Sequence, residues 1–161
     1  MRARSMVFLL ATAGLLVGPA FVQGFSDLAG AANDCTIVGT AADDRMNGTT
    51  RDDVMCSRAG RDDISALEGN DVVRLGQGDD EGDAEDGSDV IRGQQDDDLI
   101  SGDDQNDEVY GGQGDDDLLG GNGNDFVKTR DGVSGNDAAQ GNANTDTCRV
   151  DAGDTVIGCE L

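Results

Sequence analysis

Histidine and tryptophan are absent from the 161 residues, and proline occurs once. Without histidine the chain lacks the commonest general base and the imidazole metal ligand. No GxSxG element or metal-hydrolase motif replaces it, and the many aspartates recur in phase rather than forming one acid–base pair, so no enzymatic activity is expected. Aromatic residues are scarce too. Beyond residue 26 only Tyr110 and Phe126 occur, too few for a conventional core. Bases are few: 11 Lys and Arg stand against 34 Asp and Glu. Such a chain repels nucleic acid, anionic lipid and itself, and its natural partners are cations. Something other than a large apolar interior must hold any fold together.

The one long apolar run lies at the start. Arg2 and Arg4 precede residues 6–17 (MVFLLATAGLLV), and small residues follow. This is the arrangement of a secretory signal, expected over 1–32 with cleavage after Ala20, Gly24 or Ala32. The run is too short to span a bilayer, so no membrane span is expected after its removal and the protein is expected to be secreted. A buried N-terminal helix is disfavoured because the remainder offers little apolar surface to cover it. Residues 1–24 hold two bases and no acid, so losing them leaves nine bases against all 34 acids.

Four cysteines follow the leader: Cys35, Cys56, Cys148 and Cys159. An even number in an exported chain points to disulfides, and three pairings are possible. Nearness along the chain favours Cys35–Cys56 and Cys148–Cys159. End-to-end pairing would require the termini to meet, and no CxxC spacing suggests a thiolate metal site.

What the chain has in abundance is glycine and aspartate in phase. GGQGDDDLL and GGNGNDFVK, residues 111–128, are one nine-residue phrase written twice. Ten such frames run without a gap from 39 to 128. Place 6 is Asp44, Asp53, Asp62, Asp71, Asp80, Asp89, Asp98, Asp107, Asp116 and Asp125. Place 8 is aliphatic or Met in nine of the ten, with Gly82 the exception. Residues 129–131 interrupt the frame, which resumes in two further phrases with Asp137 and Asp146 at place 6. The tail from Val150 leaves the pattern. An acidic, glycine-rich disordered tract explains the composition but not the phase.

The step of two from place 6 to place 8 is a strand signal. Three residues of strand with one inward side chain cannot stand alone, but stacked on like neighbours about 4.8 Å apart they form a continuous apolar stripe. The six residues between must reverse the chain, and Gly60, Gly69, Gly78, Gly87, Gly111, Gly112, Gly114, Gly120, Gly121 and Gly123 are the expected turn glycines. Two phrases then make one flat coil with a strand on each face. Place-6 aspartates of phrases n and n+2 lie one layer apart and repel if bare. A hard cation with oxygen ligands reverses that sign. Calcium takes six to eight oxygens from carboxylates and carbonyls, magnesium demands a tighter octahedron, and zinc would want His or Cys. The twelve place-6 aspartates are therefore the expected ligands of several Ca2+ ions.

The two phrases at 111–128 match G-G-x-G-x-D-x-U-x, with U aliphatic, and resemble the RTX, or hemolysin-type, calcium-binding repeat. The resemblance spans 39–149. It implies an all-β, right-handed parallel β-roll (solenoid) of nonapeptide repeats, two per coil, with calcium between turns of phrases n and n+2. The tail, TCRVDAGDTVIGCE, resembles the end of small exported bacterial proteins with these repeats. Departures fall at place 4, which is Ala42, Arg51, Asp96, Gln105 or Asn144 in five phrases, and at Ser57 and Arg58, where two glycines are expected.

The expected organisation is a signal at 1–32, an N-terminal cap at 33–38, repeats at 39–149 with an insertion at 129–131, and a C-terminal cap at 150–161. No EF-hand loop is present. Asn47-Gly48-Thr49 has the form of a glycosylation sequon but falls at a repeat junction. The expected function is an exported protein that folds on binding calcium. The alternative is a calcium-dependent adhesin using a flat face against a cell surface or polysaccharide. Place 9, a mixture of Asn47, Cys56, Ser65, Arg74, Asp83, Arg92, Ser101, Tyr110, Leu119 and Lys128, shows no regular row to favour that alternative.

Overall fold

The computed structural model describes residues 34–133 and 135–160. The expected signal at 1–32, residue 33 of the expected N-terminal cap and Leu161 lie outside the described residues. Among the described residues there is no helix, hence none long and apolar enough to cross a membrane. In chain order the strands are β1 (Ile37–Val38), β2 (Arg45–Asn47), β3 (Val54–Ala59), β4 (Asp63–Ser65), β5 (Val72–Gln77), β6 (Glu81–Asp83), β7 (Val90–Gln95) and β8 (Leu99–Asp104). They continue as β9 (Glu108–Gln113), β10 (Asp117–Asn122), β11 (Phe126–Lys128), β12 (Ala138–Ala143), β13 (Asp146–Arg149), β14 (Thr155–Ile157) and β15 (Cys159–Glu160). Odd-numbered strands form an eight-stranded sheet and even-numbered strands a seven-stranded one. Every pairing is parallel and joins a strand to the next but one, as in β3 with β5 and β8 with β10. This is a parallel β-roll of about seven coils with two phrases per coil.

The interior is two files of place-8 side chains. Met46, Ile64, Ile100, Leu118 and Ala139 line one sheet, and Met55, Val73, Ile91, Val109, Val127 and Cys148 line the other, all buried. Strands of three to six residues bury place 8 and leave places 7 and 9 half-buried on the outer side, as at β4 and β11. One full burial of a Val, Leu or Ile contributes about 1.5–3 kcal/mol, so the short strands are held by stacking rather than by their own length.

The missing aliphatic at Gly82 is compensated within its own phrase. Leu75 stands at place 1, where glycine is usual, and is completely buried. Its Cδ1 and Cδ2 lie 3.1 and 3.2 Å from where a Cβ on Gly82 would be. Leu75 therefore fills the hole in the file from the opposite end of the phrase.

Stacked residues are 18 apart through most of the roll, as in Ile64 with Gly82 and Gly82 with Ile100. The insertion at 129–131 changes this to Leu118 with Ala139 and Val127 with Cys148 without breaking either sheet. Thr129 is buried there and its hydroxyl donates to Asp154 at 3.1 Å. The tail leaves the nine-residue frame yet remains in the roll, because β14 pairs with β12 and β15 with β13. Disulfides join Cys35 to Cys56 and Cys148 to Cys159. The first ties residues just before β1 to β3, and the second pins the last strand over the end of its sheet.

Candidate metal centres

The turns are organised by two hydrogen-bond ladders. The place-6 aspartate of each coil accepts, through Oδ1, the backbone N–H of the place-6 aspartate one coil earlier. Asp80 N–H donates to Asp98 at 3.0 Å, Asp98 N–H to Asp116 at 3.0 Å and Asp107 N–H to Asp125 at 2.9 Å. The ladder crosses the insertion, with Asp116 N–H to Asp137 at 2.8 Å and Asp125 N–H to Asp146 at 2.9 Å. Place-5 side chains form a second ladder in the opposite sense, as where Asp97 accepts from Asp115 N–H at 2.8 Å.

Satisfying Oδ1 leaves Oδ2. In Asp62, Asp71, Asp80, Asp89, Asp98, Asp107, Asp116, Asp125, Asp137 and Asp146 that oxygen is buried without a hydrogen-bond partner. A buried carboxylate oxygen in this state is costly unless a proton or a cation meets it. Burial first, then neighbouring carboxylates, push Asp98 and Asp107 up to about 8 against the pull of one backbone hydrogen bond each. Burial likewise raises Asp80, Asp89, Asp116 and Asp137 to about 6, and raises Asp71 and Asp125.

Place-1 glycines leave room for the free Asp oxygen to lie beside a carbonyl of the next coil. A Cβ added to Gly93 would lie within 3.0 Å of both Asp98 Oδ2 and the carbonyl oxygen of Gly111, one coil on. The same convergence recurs at Gly102 with Asp107 and Gly120, at Gly120 with Asp125 and Gly141, and at Gly141 with Asp146 and Gly158. At Gly111 the carboxylate is that of Asp116. Carboxylate and carbonyl oxygens this close together are donors of the kind a hard cation takes, two of the six to eight oxygens that calcium needs.

The twelve aspartates are not equivalent. At Asp44 and Asp53 the second oxygen is taken by the protein: Thr40 N–H and hydroxyl donate to Asp44 Oδ2 at 2.6 and 2.8 Å, and Thr49 does the same to Asp53 at 2.8 and 2.8 Å. The Thr40 bonds hold Asp44 below the usual carboxylate range. At Asp53 burial pushes upward, but the bonds from Thr49 and Thr36 and the nearby Arg51 outweigh it. In phrases 3 to 6, place 1 is Ser57, Ala66, Leu75 and Ala84, so a Cβ already stands where glycine leaves room beside the carboxylate. Sequence reasoning missed the threonines and Leu75; the available signal was Thr at place 2 in the first two phrases alone.

The turn glycines serve two purposes. Gly60, Gly69, Gly78, Gly112, Gly114 and Gly121 have left-handed backbones. Gly87 and Gly123 do not, but a Cβ on either would collide with the carbonyl of Gly69 or Gln105 in the coil before. Some residues at places 2 and 4 are left-handed even without glycine, as at Arg58 (φ 91°) and Asp96 (φ 72°), so coil geometry overrides the local preference there.

The family model of the RTX calcium-binding nonapeptide repeat (four copies) matches residues 38–73, 57–91 and 92–127, more than half of the chain. The chain belongs to this RTX calcium-binding repeat family. The RTX repeat is a structural calcium-binding module, and Ca2+ is the ion its turns imply. No curated protein and no solved structure matches the chain.

Proposed function

We propose that this RTX protein is exported and forms its roll on binding calcium, with the ions held mainly in the C-terminal half. The observation that carries the reading is the convergence of an unpartnered Asp Oδ2 and a carbonyl of the next coil at Gly93, Gly102, Gly120 and Gly141. Asp98, Asp107, Asp116, Asp125 and Asp146 are the favoured ligands. Asp62, Asp71, Asp80 and Asp89 face place-1 side chains and are weaker, Asp44 and Asp53 are satisfied by threonine, and Asp137 follows a turn reshaped by the insertion. When bound, the ion supplies positive charge between carboxylates that otherwise repel. The RTX fold, a leader of signal form and two disulfides suited to an oxidising compartment support export.

With 34 acids against 11 bases and almost no aromatic residues, the calcium-free chain is expected to be largely unfolded. Circular dichroism should show coil in chelator and strand in about 10⁻⁴–10⁻³ M calcium, the range of extracellular modules. A strand spectrum that chelator leaves unchanged refutes calcium-coupled folding. Asp125→Ala should weaken calcium binding by titration calorimetry, whereas Asp53→Ala should leave it nearly unchanged; equal effects would refute the ranking of sites.

A further inference from the structure

Because successive phrases fall in opposite sheets, the mixed residues at place 9 separate into two rows. On the eight-stranded sheet Cys56, Arg74, Arg92, Tyr110, Lys128 and Arg149 stack in register. Four of the 11 bases of a strongly acidic chain thus stand in one line, with the two aromatics of the repeats beside them. Arg92 lies 5.0 Å and Lys128 6.0 Å from the Tyr110 ring, and Arg149 lies 5.3 Å from the Phe126 ring. The ion pairs among the described residues, Arg45–Asp63 at 3.5 Å and Arg130–Asp151 at 3.3 Å, include none of the four.

The opposite face carries the complement. On the seven-stranded sheet the outward place-7 row is Arg45, Asp63, Glu81, Leu99, Asp117 and Ala138, also in register. Each turn reverses the chain, so the two strands of a coil run in opposite senses and place 9 of one lies behind place 7 of the other. Coil by coil, Asp63 backs Arg74, Glu81 backs Arg92, Leu99 backs Tyr110 and Asp117 backs Lys128. Acid matches base in three coils, and apolar matches aromatic in the one between them.

We propose that copies of this chain associate side by side, the basic row of one roll against the acidic row of the next. Both rows share the coil spacing of about 4.8 Å, so a simple sideways translation brings Arg74, Arg92, Tyr110 and Lys128 onto Asp63, Glu81, Leu99 and Asp117 of a second copy. The two contacting surfaces differ, which makes the contact heterologous and able to extend into an open array. The Tyr110 ring is engaged by Arg92 and Lys128, which favours a partner that meets the charged groups over one that stacks on the ring. Asp63 is shared with the exposed Arg45, a pair worth little that yields to a closer partner. Each row offers one side chain per coil, so association is weak pairwise and grows with concentration. It rests on the calcium reading above, since bound ions both form the roll and reduce the repulsion between copies.

Sedimentation velocity of the full chain in millimolar calcium tests this, with circular dichroism recorded on every sample. The sedimentation coefficient should rise with protein concentration and fall back in about 1 M NaCl, where the Debye length is about 3 Å. Arg92→Glu with Lys128→Glu should abolish the rise, and so should Glu81→Lys with Asp117→Lys on the other face. An equimolar mixture of these two variants should associate again, because each reversed row then meets a reversed row. If one pair of changes prevents folding, the other still reads the same contact. A strand spectrum with no concentration dependence, or a mixture that stays monomeric, overturns the proposal while leaving calcium binding intact; a coil spectrum in calcium overturns both. Binding of hyaluronate, a carboxylated polysaccharide that millimolar calcium does not gel, to the basic row without self-association also overturns it and assigns that face to an anionic polymer.

Discussion

At the scale of single residues, each position in the nine-residue phrase has one physical task, and the exceptions show what the task is. Place 8 fills the interior, and where Gly82 fails to do so Leu75 reaches in from place 1. Leu75→Ala should therefore open a hole beside Gly82 and cost about 2–5 kcal/mol, the range for truncating a buried leucine. Urea unfolding in saturating calcium would measure it. Leu75→Gly combined with Gly82→Leu should recover much of that loss by returning the side chain to the usual place. A double variant no better than Leu75→Ala would show that Leu75 acts otherwise. Place 6 was legible because aspartate never fails there. That only one of its two oxygens is held by backbone was not, since the N–H that occupies Oδ1 comes from a residue 18 positions earlier, or 21 across the insertion.

At the scale of strands and coils, stability is a nearest-neighbour property, and the ends are the weak points. The Cys148–Cys159 disulfide spans 11 residues and closes the last coil, where β14 and β15 have a neighbour on one side only. Replacing Cys159 with serine should cost about 3 kcal/mol on the loop-entropy account. The loss should be local. Hydrogen exchange should rise in β13, β14 and β15 and stay slow in β5 through β9, because those coils have their own neighbours on both sides. Uniform loss of protection would show instead that the roll unfolds as one unit. The tail shows why an element can be hidden from sequence: residues 155–157 carry no nine-residue frame, and their strand exists because β12 offers an edge to pair with.

Over the whole molecule, the buried carboxylates tie the proposed calcium-coupled folding to pH. Without calcium, the aspartates that burial raises bind protons more tightly in the folded chain than in the unfolded one, where Asp titrates near 3.9. Each such group favours folding most below about 4, and that contribution is lost as pH rises to about 6 for Asp80, Asp89, Asp116 and Asp137 and to about 8 for Asp98 and Asp107. In chelator, strand content by circular dichroism should grow as pH falls from about 8 to 5. With calcium present, the folding midpoint should move to lower calcium over the same range, because protons already stabilise the roll, while the affinity of the folded roll for calcium weakens as protons compete for the oxygens. Asp44, Asp53 and Asp154 are shifted downward and titrate below this window. A pH-independent spectrum in chelator would refute the account.

The sequence by itself determined the repeat, the two-phrase coil, the inward file and a ladder of carboxylates, because each of these depends on residue type at a fixed spacing and spacing survives in one dimension. The family match over 38–127 and the two parallel sheets agree with that reading. What only the tertiary structure decided depends on which residues meet across coils. Thr40 and Thr49 satisfy two aspartates, Leu75 stands in for Gly82, and place-1 glycines leave room beside some carboxylates while alanines occupy it beside others. The place-9 row that is mixed along the chain yields one basic row on the eight-stranded sheet, and place 7 of the other sheet yields an acidic one, because consecutive phrases alternate between sheets and residues 18 apart, not nine apart, are neighbours.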